Sequence, residues 1–165
     1  MQLGMPIEQH PYEGWDDEPT QSAIRLAAKR VLLAEDDPEL RGLIAERLRS
    51  VGCDVIEASN GERALDLLAA SVNEPVAALR FELAIMDVRM PGMSGLEVVY
   101  LARLWEWPTK VLLVTAFPDA ELVEECDRLG VPLLQKPFSL MSINKAAAAV
   151  LRGATDVRDV MRDVH

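Results

Sequence analysis

No apolar run in this sequence approaches the ~20 residues needed to cross a bilayer. The N-terminus also lacks a basic stretch followed by an apolar one, so no secretory signal is expected. These two absences make the cytoplasm the expected compartment and leave no role in a membrane. Cysteine is scarce: Cys53 and Cys126 lie far apart and share no metal-ligand spacing, which argues against a zinc site or a disulfide framework. Both read as small buried apolar residues. Positive charge is scarce as well. Against 27 Asp and Glu there are 17 Lys and Arg, and the net charge of −10 would repel phosphate backbones. No binding to nucleic acid is expected.

What is present is the composition of one globular domain: 165 residues, 50% apolar and 27% charged. Residues 1–29 read as an N-terminal arm. Its first 20 residues hold five acids (Glu8, Glu13, Asp16, Asp17, Glu18) and no Lys or Arg, with Pro6, Pro11, Gly14 and Pro19 interspersed. Thr20 is placed to cap a short helix through Ala23, Ile24, Ala27 and Ala28.

From residue 30 to residue 152 the pattern becomes a regular alternation. Apolar strands are expected at Val31 to Ala34, Val55 to Ile56, Leu83 to Met86, Val111 to Val114 and Val131 to Leu134. Between and after them fall five helical patterns. The first opens at Pro38 and stops at Gly52; the second runs from Gly61 to about Ala70. The third runs from Leu96 to Leu104, the fourth from an Asp119 cap to Leu129, and the fifth from a Ser139 cap to Leu151. Short strands without polar alternation mark a parallel sheet covered on both faces, a three-layer α/β sandwich. In such sheets ligands bind at the carboxyl ends of the strands.

Those ends carry the chemistry. The first strand ends in Glu35-Asp36-Asp37, the third in Asp87 and the fourth in Thr115, while Lys136 follows the fifth. Each alone is an ordinary cap or turn residue. Together they place three or four carboxylates, a hydroxyl and an ammonium on one rim. Packed carboxylates repel one another and take up protons unless a cation intervenes. Magnesium suits such a site, because it prefers a few carboxylate oxygens together with waters and phosphate oxygens. With that charge neutralised, one carboxylate can attack an anionic phosphoryl donor.

Four segments appear in order: Val31-Leu32-Leu33-Ala34-Glu35-Asp36-Asp37-Pro38, Met86-Asp87-Val88-Arg89-Met90-Pro91-Gly92-Met93-Ser94-Gly95, Val114-Thr115-Ala116 and Lys136-Pro137-Phe138. They resemble the signatures of response-regulator receiver domains of two-component signalling. The resemblance implies a five-stranded parallel sheet of flavodoxin-like order 2-1-3-4-5 and a phosphoprotein whose phosphoacceptor is Asp87. It implies Mg2+ held by Glu35, Asp36 (the more direct ligand), Asp87 and the backbone carbonyl of Arg89. It also implies phosphoryl contacts from Thr115, the Ala116 backbone and Lys136, and a cis Lys136–Pro137 bond. The implied partners are a histidine kinase or histidine phosphotransfer protein and an unidentified downstream protein, with the chain a monomer or a phosphorylation-linked homodimer. The chain would not be an enzyme beyond self-catalysed phosphorylation and dephosphorylation. No segment is large enough for an output domain, so a stand-alone receiver is expected.

The chain departs from the family pattern in places. Leu133 stands where an aromatic switch residue is usual. Arg89 and Phe117, each two residues beyond a site residue, are the expected guards of water access. The stretch 71–81 is longer than usual, with Pro75 ending the second helix and an extra helical turn over Val76 to Leu79. In the tail, 153–165, Asp156 is placed to cap a short helix bearing Val157, Val160, Met161 and Val164 on one face. Two rival readings are a magnesium-dependent phosphohydrolase and a binding module that keeps only the fold. The first needs a second acid two residues after the nucleophile, where this chain has Arg89. The intact acid pair, Asp87, Thr115 and Lys136 count against the second.

Overall fold

The computed structural model describes residue 26 and residues 28–158. The acidic arm, the Thr20 cap and the Val160, Met161 and Val164 positions of the expected tail helix lie outside the described residues. Among the described residues no helix is long and apolar enough to cross a membrane.

Five parallel strands form one sheet in the order β2-β1-β3-β4-β5: β1 Arg30–Ala34, β2 Asp54–Ala58, β3 Leu83–Asp87, β4 Lys110–Thr115 and β5 Leu133–Gln135. Five helices alternate with them: α1 Pro38–Ser50, α2 Gly61–Val72, α3 Gly95–Leu104, α4 Ala120–Leu129 and α5 Leu140–Leu151. This is the expected flavodoxin-like, three-layer arrangement. The central strand β3 is buried along its whole length, which is why Leu83 to Met86 carries no polar alternation.

The strands separate two cores. Val31, Leu33, Leu83, Ile85, Leu112 and Val114 point to the α1 and α5 side, against Ile44, Leu48, Ile143 and Val150. Leu32, Ala84, Met86, Val111 and Leu113 point to the other face, against Ala64 and Leu68 of α2 and Val98 and Val99 of α3. The period of two is the pleat itself. Both cysteines are free and buried, with the thiols pushed up to about 11, first by burial.

Helix starts follow the sequence closely. Asp37, Asn60, Ser94, Asp119 and Ser139 each accept backbone N–H bonds as N-caps, and Ser94 with Glu97 completes a capping box. Strand lengths differ from expectation at the two edges. β2 runs from Asp54 to Ala58, three residues longer than its apolar pair, because an edge strand tolerates the exposed Asp54 and half-buried Glu57. β5 starts at Leu133, not Val131. Pro132 has no N–H to give, although its carbonyl still accepts from Leu113 N at 2.9 Å. In the long α2–β3 connection, α2 ends at Val72, and a 3-10 turn spans Ala77–Leu79.

After α5 the chain reverses at Gly153, whose φ is 100°. It then folds back on the domain. Val157 is fully buried in the core that contains Leu134 and Val150. Asp156 accepts from the backbone and side chain of Arg158, which also lies 3.4 Å from Asp127 at the end of α4. Burial ranks Val157 with the strand residues, so Val157→Ala should lower unfolding free energy by about 2 kcal/mol. Leu43→Ala, at a side chain 53% exposed, should stay within about 0.5 kcal/mol. Urea unfolding of both variants checks the contrast, and equal losses would mean that the tail is not part of the core.

Candidate functional site

Parallel strands end on the same edge, so β1, β3, β4 and β5 deliver their last residues to one rim. Glu35 is drawn in by the sheet: its N–H bonds Ala58 O at 3.1 Å, and its carbonyl accepts from Arg41 Nη1 at 2.8 Å. Its side chain is buried, as are those of Asp87 and Thr115, whereas Asp36 is exposed. Carboxylate oxygens of Glu35, Asp36 and Asp87 lie within 4.8 Å of one another.

Lys136 closes the cluster. Its Nζ donates to Asp87 Oδ2 at 2.6 Å and to Glu35 Oε2 at 2.8 Å. The backbone N–H of Lys136 bonds Thr115 O at 2.8 Å, so the β4 and β5 ends are fixed relative to each other. The Lys136–Pro137 bond is cis, as expected. The other Asp87 oxygen, Oδ1, accepts from Arg89 N at 2.9 Å. Asp87 is thus held at both oxygens, by an ammonium and by the first turn of its own loop.

Burial raises the Glu35 carboxyl above its ordinary value, and the nearby Asp87 charge adds to that; bonds from Lys136 and Asp37 N–H oppose it. For Lys136, burial alone would lower the ammonium. Its bonds to Asp87 and Glu35, with their charges, outweigh that and leave it above its ordinary value.

The remaining sequence candidates divide. Asp37 leaves the cluster: its Oδ1 accepts from Glu39 N and Leu40 N, so it caps α1 rather than enlarging the acid group. Thr115 lies on the same rim, with Oγ1 accepting from Phe117 N at 3.2 Å, and Ala116 beside it is exposed. Arg89 and Phe117 meet, which sequence order did not suggest. The guanidinium sits 5.0 Å from the ring centroid, although the ring is 62% exposed. Leu133 is half-buried against the α2 and α3 core. It also lines a cavity of about 450 Å3 between α4, β5 and the tail, whose wall includes Cys126 and Lys136.

The donor set fits magnesium: three carboxylates from two strand ends, one exposed to water. A lysine already shared by two of the carboxylates marks the place where positive charge is needed.

The receiver-domain model of the response regulators matches residues 31–148. The chain belongs to the response-regulator receiver domain family. It is 26% identical over 124 residues to the sporulation initiation phosphotransferase F of Bacillus subtilis, covering 74% of this chain and 94% of that protein. It is 36% identical over 123 residues to a cyclic di-GMP phosphodiesterase of Thermotoga maritima, of which the match spans only 31%. Among solved structures it resembles the T. maritima response regulator TrrA in complex with Mg2+ and beryllium fluoride. There the TM-score is 0.62 at 28% identity, covering 74% of this chain and 98% of that one. Receiver domains are phosphoacceptors of two-component systems that bind Mg2+ at an acidic pocket and interact with histidine kinases or phosphotransfer proteins.

The ion bridge makes a pH prediction. Above 10.5, the ordinary lysine value, the folded receiver domain keeps a proton that the unfolded chain gives up. The Lys136 contribution is therefore fully present below 10.5 and is lost as pH climbs through the raised value. Glu35, also raised, has the same sign in a lower window: stability falls as pH rises from 4.5 to its raised value. Lys136→Met should destabilise by roughly 3 kcal/mol at neutral pH, as expected when one partner of a buried pair is removed. Urea unfolding of both proteins across the alkaline range should show that gap closing. A constant gap would mean that the ammonium charge is not what holds the rim.

Proposed function

We propose that this chain is a stand-alone receiver that accepts a phosphoryl group on Asp87 from a phosphohistidine of a histidine kinase or phosphotransfer protein. The reaction is magnesium-dependent, and the signal leaves through contacts with a further protein in the cytoplasm. The observation that carries this reading is the Asp87 carboxylate. It is buried at the end of β3, paired with Lys136 at 2.6 Å, and has two further carboxylates close by.

An Asp87 oxygen attacks phosphorus, a P–O bond forms, and the donor P–N bond breaks with its electron pair returning to the imidazole. Glu35, Asp36, Asp87 and the Arg89 carbonyl would hold Mg2+, which when bound offsets the charge of carboxylates and incoming phosphoryl oxygens. Lys136 exchanges a carboxylate partner for a phosphoryl oxygen, a charge-assisted bond of similar strength. The Thr115 hydroxyl turns from accepting the Phe117 N–H to donating toward the phosphoryl group. The stacked Arg89 and Phe117 side chains shield the acyl phosphate from in-line water.

The match spans nearly the whole B. subtilis phosphotransferase but only 31% of the T. maritima phosphodiesterase, so relatives of this domain occur with and without additional chain. The phosphohydrolase reading is disfavoured, because it needs an acid where Arg89 stands. Intact mass after incubation with acetyl phosphate tests the proposal. The wild type should gain one phosphoryl group with magnesium and none without it, and Asp87→Asn should gain none. An undiminished adduct on Asp87→Asn would overturn the assignment.

A further inference from the structure

We infer that Glu62 is a positioning residue for this site. It would act through the loop 88–94 without touching metal or phosphoryl group, an inference that rests on the function proposed above. That loop follows Asp87 and bears directly on it, since Arg89 N holds Asp87 Oδ1 and the Arg89 carbonyl is a proposed ligand. Most of its hydrogen bonds stay inside the β3–α3 unit: Ser94 N bonds the Glu97 side chain and Gly95 N bonds Val88 O. Val88 N simply continues the β4 pairing, bonding Val114 O. Among the described residues, one hydrogen bond ties residues 89–94 to another element. Met93 N donates to Glu62 Oε1 at 3.0 Å, from the loop to the first turn of α2.

The two segments are fitted closely around that bond. A Cβ built on Gly61 would fall 2.0 Å from Met93 O, and one on Gly92 would fall 2.3 Å from Glu62 Oε1. Gly92 also sits at φ +76°, where a side chain is strained. Gly61 therefore lets the N-terminus of α2 press against the loop, Gly92 leaves room for the Glu62 carboxylate, and Glu62 pins the loop there. A carboxylate in a first helical turn is also favoured by the free N–H groups, which explains its presence in α2 but not its reach to Met93. Glu62 is exposed and is not one of the three clustered acids. Its influence on a cation passes through the loop carbonyl and through Asp87. Groups that orient metal ligands in this way typically govern affinity by one to two orders of magnitude.

Calorimetric titration of the full chain with magnesium chloride tests the inference, using wild type, Glu62→Ala and Glu62→Gln, with a thermal unfolding midpoint for each. Glutamine keeps an oxygen that accepts from Met93 N but loses the charge. Glu62→Ala should weaken magnesium about tenfold, and Glu62→Gln should stay close to wild type. Amide exchange at Met93 should quicken in the alanine variant alone. Unchanged affinity in Glu62→Ala overturns the inference. So does an equal loss in Glu62→Gln, since charge alone would then account for the effect. A wild type that takes up no magnesium overturns the site reading itself, and this inference with it.

Discussion

One ammonium shared by two buried carboxylates is the constraint on which the rest depends. Glu35, Asp87 and Lys136 come from three different strands, and they meet only because a parallel sheet sends all its carboxyl ends to one edge. Without Lys136, Glu35 and Asp87 would face each other as like charges at the buried end of a sheet. With it, both oxygens stay available for exchange. Under the proposed function its partners are replaceable: a cation would relieve the carboxylates, and a phosphoryl group would take the lysine. Breaking one buried pair to make another of similar chemistry costs little net free energy, which is what a reversible modification site requires.

Much of this was legible in the sequence because burial leaves a strong signature. The unbroken apolar runs of β1, β3 and β4 gave both strand positions and the rim at their ends. The caps Asp119 and Ser139 fixed helix starts to within a residue, since side-chain acceptors for free N–H groups are short-range chemistry, whereas the Ser94 capping box was not read from the sequence. Edge strands were harder: the apolar content of β2 understates its length, and Pro132 shortens β5. Adjacent acids were harder still. Nothing in Glu35-Asp36-Asp37 shows which one turns away, and only the fold assigns Asp37 to the α1 cap.

Contacts between distant segments left the weakest trace. The stacking of Arg89 on Phe117 joins residues 28 positions apart, and a residue count cannot say that their side chains meet. Glu62 looks like any acid in a first helical turn; its bond to Met93 depends on the close approach that Gly61 and Gly92 permit. Val157 was read as part of an amphipathic face, but whether that face packs on the domain or elsewhere is decided by the turn at Gly153. The family match covers residues 31–148, and the folded-back tail lies beyond it.

In the proposed function, phosphoryl chemistry occurs by partner exchange at the Glu35–Lys136–Asp87 bridge. A crystal structure of the chain grown with magnesium and beryllium fluoride tests it most directly. Beryllium is expected on an Asp87 oxygen, with Lys136 Nζ moved from the carboxylate to a fluorine and the Thr115 hydroxyl turned toward another. Beryllium fluoride on any other carboxylate, or on Asp87 with Lys136 making no contact to it, would contradict the account.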